Sequence, residues 1–120
     1  KITGEKPLFI RPPYGNVSFV QLKQLDSFFV NWSSSSLDWF REEENYIYKR
    51  IMKEAKDGAI ILMHDTREVT VKAVLRAIPE LQAQGYEFVR VDDLLSRNGE
   101  KLKMGVPYRS CKFERGAVAF

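Results

Sequence analysis

The sequence predicts an α/β chain of about four parallel strands with covering helices, which is enough for half of a (β/α) barrel. Three observations point there. Apolar runs of strand length alternate with longer stretches whose apolar residues recur at helical spacing. The repeated order of strand then helix implies parallel pairing through right-handed crossovers. Each apolar run also ends in a polar cluster, as in barrels that gather their chemistry at the C-terminal ends of parallel strands.

The first strand, Leu8-Phe9-Ile10, leads into Arg11-Pro12-Pro13-Tyr14-Gly15, and a short helix is expected over 19–25. The second strand is expected over 27–32, followed by four serines and then Asp38-Trp39. Tyr48, Ile51, Met52 and Ala55 recur at helical spacing within 42–56, and Glu42-Glu43-Glu44 suits the positive end of a helix dipole. Gly58 is placed to end that helix in the left-handed conformation. The run 59–63 reads as a strand covered on both faces. Helical spacing returns over 69–84, with Val71, Val74, Leu75, Ile78 and Leu81 on one stripe. Pro79 within it predicts a kink or a displaced boundary. The last strand is expected over 87–91, a helical turn over 93–97, a turn at Asn98-Gly99, and an irregular tail over 98–120. No internal repeat or linker divides residues 1–120. Four strands standing alone would leave two outer edges unpaired, so a missing partner is first a structural expectation.

Composition narrows the function classes. The 120 residues carry a net charge of +3, with Lys and Arg interspersed with Glu and no basic face, which argues against nucleic acid. The balance allows at most a weak attraction to anionic wall polymer or membrane surface. No apolar stretch approaches the roughly 20 residues of a membrane span. Cys111 is the single cysteine, so no internal disulfide forms. No signal peptide is visible, and the first residue is Lys1 rather than methionine.

Three strand ends carry candidate chemistry. After Arg11, two prolines lack an N–H, so the first free amide donor belongs to Tyr14, and a rigid turn of this kind suits an oxyanion. Arg11 itself suits two-point binding of a carboxylate. The plainer alternative is a proline-stiffened loop with a surface arginine. Four serines ordinarily make a flexible solvated loop, yet Trp32 and Trp39 bracket them. Asp38 is then either a desolvated carboxylate on a sugar-sized pocket or a helix N-cap packed by Trp39. The only histidine, His64, directly follows the most apolar strand. Imidazole is the natural proton donor or acceptor near neutrality, and a carboxylate such as Asp38 beside it would favour the protonated form.

In this order and spacing, Arg11-Pro12-Pro13-Tyr14-Gly15, Asp38-Trp39 and Ile61-Leu62-Met63-His64-Asp65 resemble the motifs of the polysaccharide deacetylase family, carbohydrate esterase family four, also called the NodB-homology domain. Gly85-Tyr86-Glu87-Phe88-Val89, running into Val91-Asp92-Asp93-Leu94-Leu95, resembles the family's last strand and turn. The likeness covers about residues 8 to 97 and only the C-terminal half of the family's domain. It implies a hydrolase that removes acetyl groups from N-acetylglucosamine-containing glycans such as peptidoglycan or chitin, with a divalent metal, commonly zinc, activating water. By match, His64 would be the general acid, Asp38 would tune it, and Arg11 would orient the base aspartate. The Tyr14 amide would help hold the oxyanion, and Trp39 with Leu62 would line the acetyl-methyl pocket. A secreted or envelope-associated parent is implied as well.

The departures define the expectation further. The family's early Asp-Asp and His-x-x-x-His motifs are absent here, and one histidine cannot supply a two-histidine metal site. Ser35 stands where the family often carries an acidic residue. The expectation is therefore a processed or cleaved chain that provides the acid and oxyanion elements. A second chain carrying the N-terminal half would hold the metal. The alternative is a non-catalytic carbohydrate-binding or structural remnant that uses Trp32, Trp39 and Tyr14 as stacking surfaces. A nucleotide-binding domain is disfavoured, because no glycine-rich loop follows a strand.

Overall fold

Ala59–Leu62 lies at the centre of the fold as β4, and Ala59, Ile60 and Ile61 are buried. The computed structural model describes residues 4–97, 101–110 and 117–119. Strands β1 (Phe9–Ile10), β2 (Phe28–Val30) and β3 (Ser34–Ser35) precede β4, and β5 (Glu87–Phe88), β6 (Pro107–Tyr108) and β7 (Ala117–Ala119) follow it. Helices α1 (Phe19–Gln24), α2 (Glu44–Glu54), α3 (Glu68–Ala83) and α4 (Val91–Ser96) separate them. Among the described residues the paired strands run parallel, in the orders β1-β2-β6 and β3-β4-β7-β5, with one isolated antiparallel bridge between Ala59 and Ser110. This is the parallel α/β arrangement expected of half a barrel.

Local chemistry sets the helix ends. Ser18 caps α1 in a reciprocal capping box with Gln21, and Gly85 takes the left-handed conformation that closes α3. The expected Gly58 cap is corrected: α2 ends at Glu54 with Ala55 extended, and Gly58 is left-handed in the turn where the Ala59 N–H donates to the Lys56 carbonyl, just before β4. Helix α3 runs through Pro79 to Ala83 without a break. The N–H that proline lacks would have reached the carbonyl of Leu75, a residue 66% exposed, so the lost hydrogen bond falls on the solvent side of the helix and the expected kink is not needed.

Two apolar clusters flank β4. One joins Ile61 to Ile47 and Ile51 of α2 and to Ala73, Ala77 and Leu81 of α3, and the other joins Ile60 to Val30, Leu94 and Leu95. Truncating Ile51 to alanine in such a setting costs about 2–5 kcal/mol.

Besides the kink expected at Pro79, the stripe of α3 and the irregular tail are corrected, and the serine loop is structured as its bracketing tryptophans argued. The buried face of α3 is Thr70, Ala73, Ala77 and Leu81, whereas Val71 and Leu75 of the expected stripe are exposed. Small residues on that face let α2 pack closely, and the larger aliphatics are displaced outward. The serine loop is ordered. Ser34–Ser35 pairs with β4, and the Ser33 hydroxyl both donates to the Ile60 carbonyl and accepts from the Ile60 N–H. Hydroxyls that bond backbone across a strand remove the freedom that composition alone implies. The tail over 98–120 contains β6 and β7, and β7 stands between β4 and β5. Strands of two and three residues are too short for alternation to reveal. The expected turn at Asn98-Gly99 lies outside the described residues.

Candidate active site

The strand ends of β1, β2 and β4 converge on a cavity of about 890 Å³. Its wall is made by Arg11, Pro12, Pro13, Tyr14, Trp32, Trp39, Leu62, Met63 and His64. The sequence placed Arg11, Tyr14, Trp39, Leu62 and His64 at a common mouth, and the structure brings all five to this wall. Asp38, the sixth, lies behind the wall and is fully buried.

A tight turn delivers Asp38 to that position. Leu37 takes the left-handed conformation at φ 57°, its N–H donates to the Ser35 hydroxyl at 3.2 Å, and its carbonyl accepts from the Phe40 N–H at 3.0 Å. Ser36 is buried, and its hydroxyl accepts from the Asp38 N–H at 3.4 Å. The serines therefore build the turn that carries the carboxylate.

Three donors meet the Asp38 side chain. The His64 backbone N–H donates to Oδ2 at 2.6 Å, the Thr70 hydroxyl donates to Oδ2 at 3.0 Å, and His64 Nδ1 lies 2.9 Å from Oδ1. An ionised carboxylate only accepts, so Nδ1 carries a hydrogen and Nε2 is left as the ring's second proton site. Burial by itself raises the Asp38 pKa. The His64 ring, the His64 N–H, the Thr70 hydroxyl and the imidazolium charge together overcome that effect and lower it. The His64 side chain is 43% exposed, so one face reaches solvent while Nδ1 is held from behind. Arg67 ties the two turns together by donating to the Asp38 carbonyl at 3.3 Å and pairing with Glu42.

The Pro13–Gly15 segment forms one 3₁₀ turn with Tyr14 at φ 56°. The Gly15 N–H donates to the Pro12 carbonyl at 3.0 Å and the Asn16 N–H donates to the Pro13 carbonyl at 3.1 Å. The Tyr14 N–H has no acceptor among the described residues. Glycine is favoured at Gly15, because its φ is +67° and an added Cβ would lie 2.8 Å from Trp32 Cη2, so a larger residue strains the turn. Arg11 makes no ion pair among the described residues, and partial burial lowers its pKa.

Metal ligands are a different matter. Among the described residues no three His, Cys, Asp or Glu side chains come together, and His64 Nδ1 and both Asp38 oxygens already have partners. The described residues do not fit a metal ion, and none of their chemistry is routed through one. Sequence reasoning missed Thr70, Arg67 and Asn31 because each acts across the fold; Thr70 meets Asp38 from 32 residues away.

No family model matches the chain. It is 37% identical over 106 residues to the peptidoglycan-N-acetylglucosamine deacetylase PgdA of Listeria monocytogenes, covering 88% of this chain and 22% of that protein. It is 34% identical over 94 residues to the peptidoglycan-N-acetylmuramic acid deacetylase PdaC of Bacillus subtilis, covering 78% of this chain and 20% of that protein. A family 4 acetyl xylan esterase from Clostridium thermocellum, solved with a cobalt ion, superposes with a TM-score of 0.79 at 28% identity. That match covers 92% of this chain and 56% of the esterase chain. The chain thus spans about a fifth of the length of these curated relatives and about half of the solved chain. By sequence and by fold, it matches about half of a carbohydrate esterase family four polysaccharide deacetylase domain.

Proposed function

We infer that this chain forms part of a metal-dependent polysaccharide deacetylase that removes acetyl groups from N-acetylglucosamine-containing glycans such as peptidoglycan or chitin. The observation that carries the reading is the His64–Asp38 pair at a cavity whose wall also holds Arg11 and the Tyr14 turn. Amide hydrolysis needs a proton on the leaving nitrogen, because an unprotonated amine anion does not depart. His64 supplies it from Nε2 while Asp38 keeps the Nδ1 hydrogen and steadies the imidazolium. As water adds to the acetyl carbon, the carbonyl oxygen gathers negative charge, and the Tyr14 N–H donates to it. Arg11 orients an aspartate from outside this chain that takes the water's proton, which accounts for a cavity-lining guanidinium with no carboxylate partner among the described residues. Trp39 and Leu62 enclose the acetyl methyl and exclude bulkier acyl groups.

A second chain, or another segment of the parent, would carry the N-terminal half of the domain and hold a divalent metal, zinc by the resemblance, that polarises the acetyl carbonyl. Action on a wall polymer places the parent outside the cell or in its envelope. Among the described residues no helix is long and apolar enough to cross a membrane.

A second reading, a carbohydrate-binding or structural remnant without catalysis, draws on the exposed rings of Tyr14 and Trp39 beside the cavity. Acetate release from N-acetylglucosamine oligomers separates the two. Hydrolysis by the complete domain, abolished by His64→Ala, supports the enzyme, and none is expected from the 120-residue chain alone. Hydrolysis by the isolated chain overturns the shared site. Saturable sugar binding that needs no metal and survives His64→Ala favours the remnant.

A further inference from the structure

Tyr14 holds an unusual position for a residue assigned a geometric task. It is 99% exposed and left-handed at φ 56°, a conformation that costs a non-glycine residue about 1–2 kcal/mol. No packing of its own side chain can keep it there, so its backbone must be held by neighbours. Two turn hydrogen bonds close the loop on itself, but they do not locate it against the sheet. One side chain does. Asn31 directly follows β2, is 3% exposed, and donates from Nδ2 to the Gly15 carbonyl at 3.0 Å. Its backbone is fixed in turn by its N–H, which donates to the Tyr108 carbonyl of β6 at 2.7 Å. The Trp32 ring stands against Gly15 as a steric stop. The turn is thus drawn inward by an amide and limited by an indole, both from residues that directly succeed β2 in the chain.

We propose that Asn31 is a positioning residue that sets the Tyr14 N–H at oxyanion distance by anchoring the next carbonyl, that of Gly15. The role rests on the deacetylase reading, in which that N–H meets the developing charge. Such a donor works within a window of about 2.7–3.1 Å, and a displacement of about 1 Å costs on the order of 10² in rate. The ground-state substrate is held by the rest of the cavity, so the loss falls on the transition state.

The test uses the complete catalytic domain and two variants. Asn31→Asp keeps the volume but turns a carboxylate oxygen toward the Gly15 carbonyl. Asn31→Ser removes the reach without adding charge, and it carries the test should the aspartate variant fold poorly. Both are expected to lower kcat by about 10- to 100-fold with KM nearly unchanged. Affinity for a tetrahedral phosphonamidate analogue should fall by the same factor as kcat/KM, while affinity for the deacetylated product holds. A general loss of structure would weaken product and analogue together. Variants with wild-type kcat, or with changes confined to KM or Tm, overturn the positioning role. A wild-type domain that releases no acetate overturns the deacetylase reading instead, a result read before either variant is made.

Discussion

Replacing Asp38 with asparagine preserves the side chain's shape and removes its charge, and the hydrogen-bond geometry dictates how His64 must respond. Oδ2 receives the His64 backbone N–H at 2.6 Å, a donor that cannot rotate away, so asparagine must keep its oxygen there. Its NH2 group then faces His64 Nδ1, 2.9 Å from the native Oδ1, and Nδ1 becomes an acceptor. The neutral ring holds its hydrogen on Nε2, and giving that hydrogen up would leave the ring with none. A doubly protonated ring would set donor against donor and lose a charge-assisted hydrogen bond of about 1.5–3 kcal/mol. That alone corresponds to about 10–10² in rate, and loss of the whole acid route to about 10²–10⁴. The expected result for Asp38→Asn in the complete domain is therefore a fall in kcat of about 10²–10⁴ for acetate release. The His64 ring nitrogens, assigned by ¹⁵N NMR, are expected to move from the Nδ1–H to the Nε2–H tautomer. A variant within about fivefold of wild type, or an unchanged tautomer, refutes the reasoning.

Thr70→Val removes one donor from Asp38, whose pKa is lowered on folding because the His64 and Thr70 hydrogen bonds outweigh burial. A carboxyl lowered on folding adds stability above its unfolded value of about 3.9, and that stability is lost as pH falls through the lower folded value. The variant should be about 1–3 kcal/mol less stable at neutral pH, with the gap to wild type shrinking below about pH 4 in denaturant titrations. A gap that widens on acidification contradicts the assigned hydrogen bond. Gly15→Ala adds left-handed strain of about 1–2 kcal/mol and pushes a Cβ against Trp32, so indole fluorescence should shift and activity fall. An unchanged spectrum would show that the contact is not tight. Arg11→Lys keeps the charge but loses the two-point fork, and it should lower kcat about as much as Arg11→Ala. Full rescue by lysine would make the role one of charge alone.

Much of this site is legible in the sequence because parallel strands put their C-terminal ends at one mouth. Once Phe9–Ile10 and Ala59–Leu62 read as strands, Arg11 and His64 had to converge. The left-handed glycines at 58 and 85 were legible for the same local reason. The pairing of the serine turn was not, because a hydroxyl bonded to Ile60 and one exposed to water have the same composition. The buried face of α3 was misread because an apolar stripe records residue size, whereas close packing on α2 selected alanines. Asn31 and Thr70 left no local trace, since their partners lie 16 and 32 residues away.

His64 as proton donor is tested most directly by comparing two leaving groups in the complete domain. His64→Ala should lose about 10²–10⁴ in kcat/KM on an N-acetylated sugar, whose amine departs only when protonated. The same variant should keep most of its rate on an aryl acetate, whose phenolate departs without a proton. Equal losses on both substrates, or an amide rate untouched by the substitution, would contradict the assignment.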